Sequence, residues 1–259
     1  MNIRQTLQNK RVRFFIVVAI LTALMVVLSL PSCSDLIYTL LLPAAAVLLT
    51  YFALGRLGGI EVVTLYTLPV LLAIGASLNQ WFFPNFSLLV KIGIWASFFS
   101  LYYVLLLALN VFHVERLRGE KIPLEKAAEP AVLLISFLVA VLLITVIYKF
   151  ALGVGATATL IFLVGFILAL NVLWFFSPSD LFTRSHFAGA IAVGLGVLQI
   201  SLTFSFFPLK AHLLGLSQGV FFYSILGVVR AYFEKHLRYR VLLEYILLSL
   251  GVFIFVQFL

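Results

Sequence analysis

The sequence predicts an all-α fold, a polytopic bundle of about nine transmembrane helices with the amino terminus in the cytoplasm and the carboxyl terminus outside. Composition is the first observation, because 64% of the 259 residues are hydrophobic and only 10% are charged. Soluble domains have roughly half apolar and about a quarter charged residues. The second observation is that long apolar runs alternate with short polar breaks throughout the chain. No break is long enough to build a water-facing core, so residues 1–259 are predicted to form a single integral membrane domain.

Each apolar run has about the length that a bilayer core requires, which is about 20 residues for a helix. The second and third runs contain Pro43 and Pro69. Proline bends a membrane helix without excluding it, because neighbouring groups can satisfy the carbonyls that it leaves without a donor. The predicted spans are Phe14 to Leu30, Leu36 to Leu54, Val62 to Leu78, Ser87 to Asn110, Ala131 to Leu152, Thr157 to Phe176, Phe187 to Phe207, Ala211 to Val229 and Val241 to Phe258.

The basic residues test this count, because each added or missing span would move every later loop to the other side. In the nine-span arrangement, all of the 17 Lys and Arg residues except Lys91, Lys149 and Lys210 fall in cytoplasmic segments. Lysine and arginine are retained on the cytoplasmic side of membrane proteins. The distribution therefore favours an odd number of spans.

The formal net charge of +8 does not indicate nucleic-acid binding, since no nucleic-acid-reading motif is present. The bases lie in loops beside spans, where cytoplasmic retention and anionic lipid account for them. The predicted partners are the lipid bilayer, with anionic lipid headgroups at the cytoplasmic basic loops, and a second copy or another membrane protein. Nucleic acid is not a predicted partner.

Cys33 is the single cysteine. It ends the sequence Leu30-Pro31-Ser32-Cys33, which distantly resembles a bacterial lipoprotein signal but departs from it at Pro31, so an unmodified thiol is favoured over a cleaved, lipidated one. One cysteine excludes an internal disulfide and a zinc site built on cysteine pairs. No metal or cofactor is predicted.

Motifs for enzymatic chemistry are missing from the sequence. It contains no GxSxG elbow, phosphate-binding loop, HExxH pair or glycine-rich dinucleotide turn. Nothing in the pattern places a serine and a histidine at one depth. The sequence therefore favours a non-catalytic protein over an enzyme.

Small residues predict a helix contact in the last third of the chain. Ala188, Ala192 and Gly196 recur at four-residue spacing in the seventh span, and Gly215 and Gly219 form a GxxxG pattern in the eighth. Small residues on one face allow two helices to approach closely. We expect these two spans to pack together. A homodimer seam would use the same residues.

Polar residues in the same two spans form a candidate cluster of Gln199, Thr203, Ser217 and Gln218. At about 1.5 Å per residue, Gln199 and Gln218 lie at a similar depth, roughly 10–12 Å below the outer boundary. A polar pocket at that depth could bind a substrate headgroup. Hydrogen bonds between helices explain the same residues without a ligand.

The three lysines on the predicted outer side, Lys91, Lys149 and Lys210, form a candidate anion-binding group. Lysine near the end of a span commonly extends its ammonium to the interface along its own apolar stem. This alternative requires no ligand.

Two acid–base pairs at four-residue spacing are predicted near the last span, Glu234 with Arg238 and Arg240 with Glu244. In the long loop after the fourth span, Pro123 precedes a short helix-forming stretch, and we expect that helix to end before Pro130.

Three stretches, Ala108–Phe112, Ile122–Ala128 and Arg238–Tyr245, resemble those of uncharacterised multi-pass membrane proteins of small-genome bacteria. The resemblance covers the later part of the chain. It implies a protein of the bacterial cytoplasmic (inner) membrane and brings no catalytic residue. The favoured function is a non-catalytic membrane component or partner subunit, and the alternative is a small transporter or lipid-handling protein that uses the polar cluster between spans 7 and 8.

Overall fold

The computed structural model of the chain describes residues 10–30, 36–55, 58–118, 125–179, 181–235 and 237–258. Cys33 lies outside these residues, so the predictions about its modification remain predictions. Within the described ranges the secondary structure is helical, joined by turns and short extended segments. The helices are α1 Lys10–Leu28, α2 Leu36–Thr39, α3 Leu41–Leu54, α4 Ile60–Phe82, α5 Leu88–Arg118, α6 Glu125–Lys149, α7 Val154–Phe176, α8 Arg184–Phe204, α9 Ala211–Phe233 and α10 Tyr239–Gln257.

Nine candidate membrane spans occur among the described residues, with α2 and α3 together forming one span of 19 residues. Each span is long and apolar enough to cross a bilayer. The predicted all-α class and the predicted number of spans are therefore confirmed. Both runs that contain an internal proline are helical spans.

Pro43 lies in the first turn of α3, a position that tolerates proline, just after the short helix α2 that ends at Thr39. Without an N–H, Pro43 leaves the carbonyl of Thr39, four residues earlier, without its helical donor. The hydroxyl of Ser77 in α4 donates to that carbonyl oxygen at 2.6 Å. A side chain from another helix thus satisfies the carbonyl that proline leaves free, as an apolar environment requires.

The prediction of a short helix that ends before Pro130 is wrong, because Pro130 lies inside α6. Proline removes one N–H from a helix and disfavours helical geometry in the preceding residue, but neither effect is prohibitive. Since Pro130 is the sixth residue of α6, the end of the polar loop from Glu125 and the fifth span form one continuous helix.

The chain divides into two compact units, Met1–Ile135 and Ser136–Leu259, with the boundary inside α6. In the first unit, α1 packs against α3 and α5, and α4 also packs against α3 and α5. The core of this unit contains fully buried Phe14, Leu68 and Tyr102. The hydroxyl of Tyr102 shares a hydrogen bond of 2.9 Å with that of Thr50 in α3. Whether the chain is one domain remains a prediction.

In the second unit, α7 packs against α8, α8 against α9, and α9 against α10. The helices α7 and α8 approach each other closely at two glycines. A Cβ on Gly165 would lie 3.5 Å from the Cα of Gly194. Larger side chains at these positions would force the two backbones apart.

The small residues predicted at the contact of the seventh and eighth spans, now α8 and α9, have different neighbours in the structure. Gly196 of α8 lies against Ile225 of α9. Gly215 and Gly219 of α9 instead face α6, where they contact Thr145 and Val141. Ala188 and Ala192 are exposed on α8. The GxxxG pattern marked a close contact, but four-residue spacing does not identify the neighbouring helix.

We predict opposite effects for Gly215→Ala and Gly251→Ala on stability. A Cβ on Gly215 would clash with the side chain of Thr145 and lie 3.0 Å from its backbone nitrogen, whereas Gly251 has nothing within 4 Å. Overpacking should cost Gly215→Ala about 1–3 kcal/mol. Gly251→Ala should gain about 0.5–1 kcal/mol of helix propensity. Thermal unfolding in detergent with added lipid measures both, and equal or higher stability of Gly215→Ala would contradict this packing.

Candidate functional site

A buried acid and a buried histidine meet where α4 begins and α5 ends. The Oε2 atom of Glu61 lies 3.4 Å from the Nδ1 atom of His113, and both side chains are buried. The helix dipoles favour a negative charge on Glu61, which is in the first turn of α4, and a positive charge on His113, which is near the carboxyl end of α5. Burial of an unpaired charge is expensive, so the pairing explains how these groups are accommodated.

A second polar contact brings the start of α1 to the same end of α5. The Nζ atom of Lys10 donates to the Oδ1 atom of Asn110 at 3.1 Å. Asn110 lies one helical turn before His113 and so shares its face. We call Lys10, Glu61, Asn110 and His113 the N-terminal polar cluster. It joins the ends of three predicted spans.

The N-terminal polar cluster contains groups that can exchange a proton, an imidazole and a carboxylate. The same contact also fixes the end of α4 against the end of α5. Ionisable groups inside membrane spans mark functional sites by default, so this cluster is the strongest candidate site of the first unit.

Sequence reasoning did not single out this pair. His113 lacks the spacing of a metal-binding motif, and Glu61 resembles an ordinary acid at a helix start. The sequence does contain one indication of the pair: Glu61 precedes the third predicted span and His113 follows the fourth, so both lie on the same predicted side of the membrane.

In the second unit, Ser177 and His186 lie side by side at the turn between α7 and α8. The Oγ atom of Ser177 lies 2.6 Å from the Nε2 atom of His186. The backbone N–H of Thr183 donates to the Nδ1 atom of the same ring at 3.2 Å. The structure therefore places a serine and a histidine at one depth, which the sequence did not indicate.

These contacts assign the ring proton. Because Nδ1 of His186 accepts from Thr183, a neutral ring carries its proton on Nε2 and donates it to the hydroxyl of Ser177. A catalytic histidine must instead accept the serine proton. Thr183 also accepts a hydrogen bond from the backbone N–H of His186 at 3.4 Å, which completes a capping box. The arrangement fixes the turn and begins α8.

Arg230 near the end of α9 contacts an aromatic ring and a carboxylate. Its guanidinium carbon lies 3.6 Å from the ring centre of Phe176, and its Nε atom donates to Glu234 at 2.6 Å. The predicted helical pairing of Glu234 with Arg238 is wrong in its geometry, because α9 ends at Phe233 and α10 begins at Tyr239. Four-residue spacing brings two side chains together only within one helix.

The four residues of the predicted polar cluster differ in their exposure. Gln199 and Thr203 are exposed on α8, where the Thr203 hydroxyl donates to the Gln199 carbonyl at 3.1 Å. Ser217 and Gln218 are buried in α9. Among the described residues, the Ser217 hydroxyl and both amide atoms of Gln218 have no hydrogen-bond partner. A pocket formed by all four residues remains a prediction.

The three predicted outer lysines occupy helix ends. Lys91 lies half-buried in the first turn of α5, in the first unit. Lys149 is the last residue of α6, and Lys210 precedes α9, both exposed in the second unit. These positions fit the extension of each ammonium to an interface. Their joint binding of an anion remains a prediction.

A family model described as "Protein of unknown function (DUF5656)" matches residues 11–259. No curated protein and no solved structure matches the chain. The match confirms the expected kinship with an uncharacterised family.

We predict that Glu61 and His113 are energetically coupled. The change in the free energy of unfolding of the double variant should differ from the sum of the changes in Glu61→Gln and His113→Gln. The difference should be about 0.5–3 kcal/mol, as expected for residues in contact. Titration with a denaturing detergent in mixed micelles measures all three. Additivity within about 0.5 kcal/mol would contradict the pairing.

The matched control combines Glu61→Gln with Gln80→Ala in the same helix. Gln80 lies 19 positions after Glu61 in α4, which is about 28 Å at the helical rise. Their effects should add, because residues that far apart without a shared partner are independent.

Proposed function

The chain belongs to the DUF5656 family of proteins of unknown function, and we propose that it is a non-catalytic component of a bacterial cytoplasmic membrane. In this proposal, α10 packs against a second membrane-embedded protein and the amino terminus lies in the cytoplasm. The nine apolar helices support a multi-pass membrane protein.

The positions of the bases support the proposed orientation. Lys10, Arg11 and Arg13 begin α1, Arg184 begins α8, and Arg230 lies in the last turn of α9. With an inside amino terminus, all these helix ends face the cytoplasm, as the positive-inside rule requires.

The observation that carries the partner proposal is how little of α10 is covered by its own chain. Only 11% of the α10 span is buried, compared with 56% of the α9 span. The contacts of α10 lie on one side, where Tyr245 covers Gly227 and Phe253 stacks on Phe204. Beyond the exposed Arg240 and Glu244 near its start, the remaining surface of the helix is mostly apolar and open.

The open side of α10 carries Leu247, Ile254 and Phe255, all exposed. In a bilayer, no hydrophobic driving force holds one helix against another, because lipid tails are as apolar as leucine. Packing contacts must therefore hold α10 in place. A second protein on the open side would supply contacts that this chain lacks.

Photo-crosslinking in the native membrane tests the proposal. With benzoylphenylalanine at Leu247 or Ile254, we expect one discrete protein adduct of the same mass at both positions. Ser249 is buried against α9, so the same group there should give no such adduct. Leu48, 71% exposed on α3, reports the background for a lipid-facing position.

An adduct with the mass of two chains would identify the partner as a second copy. If Leu247 and Ile254 gave only the lipid adducts that Leu48 gives, the proposed partner would be contradicted.

A second candidate function, a small transporter or lipid-handling protein, is favoured by Gln218. Its side chain is fully buried, and neither amide atom has a hydrogen-bond partner among the described residues. An amide without a partner is costly in an apolar environment. A polar molecule passing through or bound beside α9 would satisfy it.

A further inference from the structure

A groove runs between α9 and α10 on the face that their contacts leave open. Its volume is about 330 Å³, at the lower end of the roughly 300–1,000 Å³ typical of small-molecule sites. Apolar and aromatic side chains form its walls, among them Phe221, Ile225, Val228, Tyr245, Ile246 and Leu250. Such a surface suits a hydrocarbon ligand.

The polar atoms in the lining support the same conclusion. Ser224 and Ser249 belong to the lining, but they are buried and the Ser249 hydroxyl donates to that of Ser224 at 2.9 Å. These two hydroxyls satisfy each other and bridge the two helices. They leave little polar attraction for a headgroup inside the groove.

The groove has the length and direction of an acyl chain in one leaflet. Along α9 the lining extends from Val229 to Phe221, about 12 Å at the helical rise. Half of a hydrocarbon core of about 30 Å is about 15 Å. One end of the groove, at Val229 and Tyr245, is directed toward the short connection between α9 and α10, about one to two helical turns away.

Positive charge is concentrated at that end. Lys235, Arg238 and Arg240 are exposed in and beside the connection. Glu234 is paired with Arg230, and Glu244 is the other acid of this segment, also exposed. The bases outnumber the acids here, so the end of the groove favours an anionic headgroup.

We propose that this groove binds one acyl chain of an anionic phospholipid, with the phosphate headgroup at Arg238 and Arg240. The apolar walls alone give no preference over surrounding lipid, because lipid tails are equally apolar. The arginines supply the preference, and the groove fixes the position of the bound molecule. This site rests on the membrane placement proposed above and does not require a partner protein.

The experiment uses the full chain in nanodiscs of equal phosphatidylglycerol and phosphatidylcholine, and native mass spectrometry to identify retained lipid. We expect the protein to retain phosphatidylglycerol in preference to phosphatidylcholine. Each of Arg238→Gln and Arg240→Gln should reduce that preference about fivefold, corresponding to about 1 kcal/mol per base near the surface. His212→Gln, exposed in the first turn of α9 at the opposite end of the helix, should leave it unchanged.

Occupancy of the groove is tested separately by Leu250→Trp. Leu250 lines the groove and is 47% exposed, so the larger indole would occupy space inside the groove. Leu247→Trp is the matched control on the same helix, 62% exposed and outside the groove. We expect the first to lose the retained phosphatidylglycerol and the second to keep it. The arginine variants test the site even if Leu250→Trp does not fold.

Equal retention of both lipids by the unmodified chain would overturn the site, as would a preference that survives both arginine substitutions. A two-chain mass that Leu250→Trp abolishes would assign the groove to a second copy and also overturn it. None of these results bears on the membrane orientation, which topology measurements test, or on the open face of α10, which crosslinking tests. Failure of this site is therefore distinguishable from failure of the proposed function.

Discussion

The fold depends on one constraint, that backbone N–H and C=O groups inside a bilayer must find their partners within the protein. Helices meet that requirement along their length, and this explains why apolar runs of span length are helical here. The constraint is visible where proline interrupts the pattern. Pro43 cannot donate to the carbonyl of Thr39, and Ser77 from another helix does so instead.

Three pairs of polar side chains follow the same rule within the units. Glu61 pairs with His113, Thr50 with Tyr102, and Ser224 with Ser249, each across two helices. These contacts are directional, whereas apolar contacts in lipid are not, so they fix which helix faces are in contact. The proposed functions accordingly lie at surfaces: the open side of α10 for a partner, and the groove beside it for lipid. Several buried polar side chains among the described residues do not follow the rule, and Gln218, with both amide atoms unpartnered, is the one that supports the second candidate function.

The number of spans could be predicted from the sequence because hydropathy and length act locally along the chain. Helix boundaries were less accurate, since Pro130 was expected to stop a helix that continues through it. The pattern of Gly215 and Gly219 predicts a contact with the seventh span, whereas these glycines lie against α6. The spacing of residues along one helix identifies which of them share a face, but it does not identify the helix that packs against that face.

The candidate site was harder to predict for the same reason. Glu61 and His113 are separated by 51 intervening residues, and only the packing of α4 on α5 brings them together. The Ser177 and His186 contact depends on the conformation of a short turn. Such pairings require tertiary information that composition and periodicity do not contain.

The measurement that tests the membrane account most directly is the location of the two chain ends in a bacterial host. A fluorescent protein that matures only in the cytoplasm would be fused at the amino terminus, and a phosphatase active only outside the cytoplasm would be fused after Leu259. The account predicts that both reporters are active, because an odd number of spans places the ends on opposite sides. Activity of the fluorescent reporter with an inactive, fully expressed phosphatase would place both ends in the cytoplasm and contradict nine crossings.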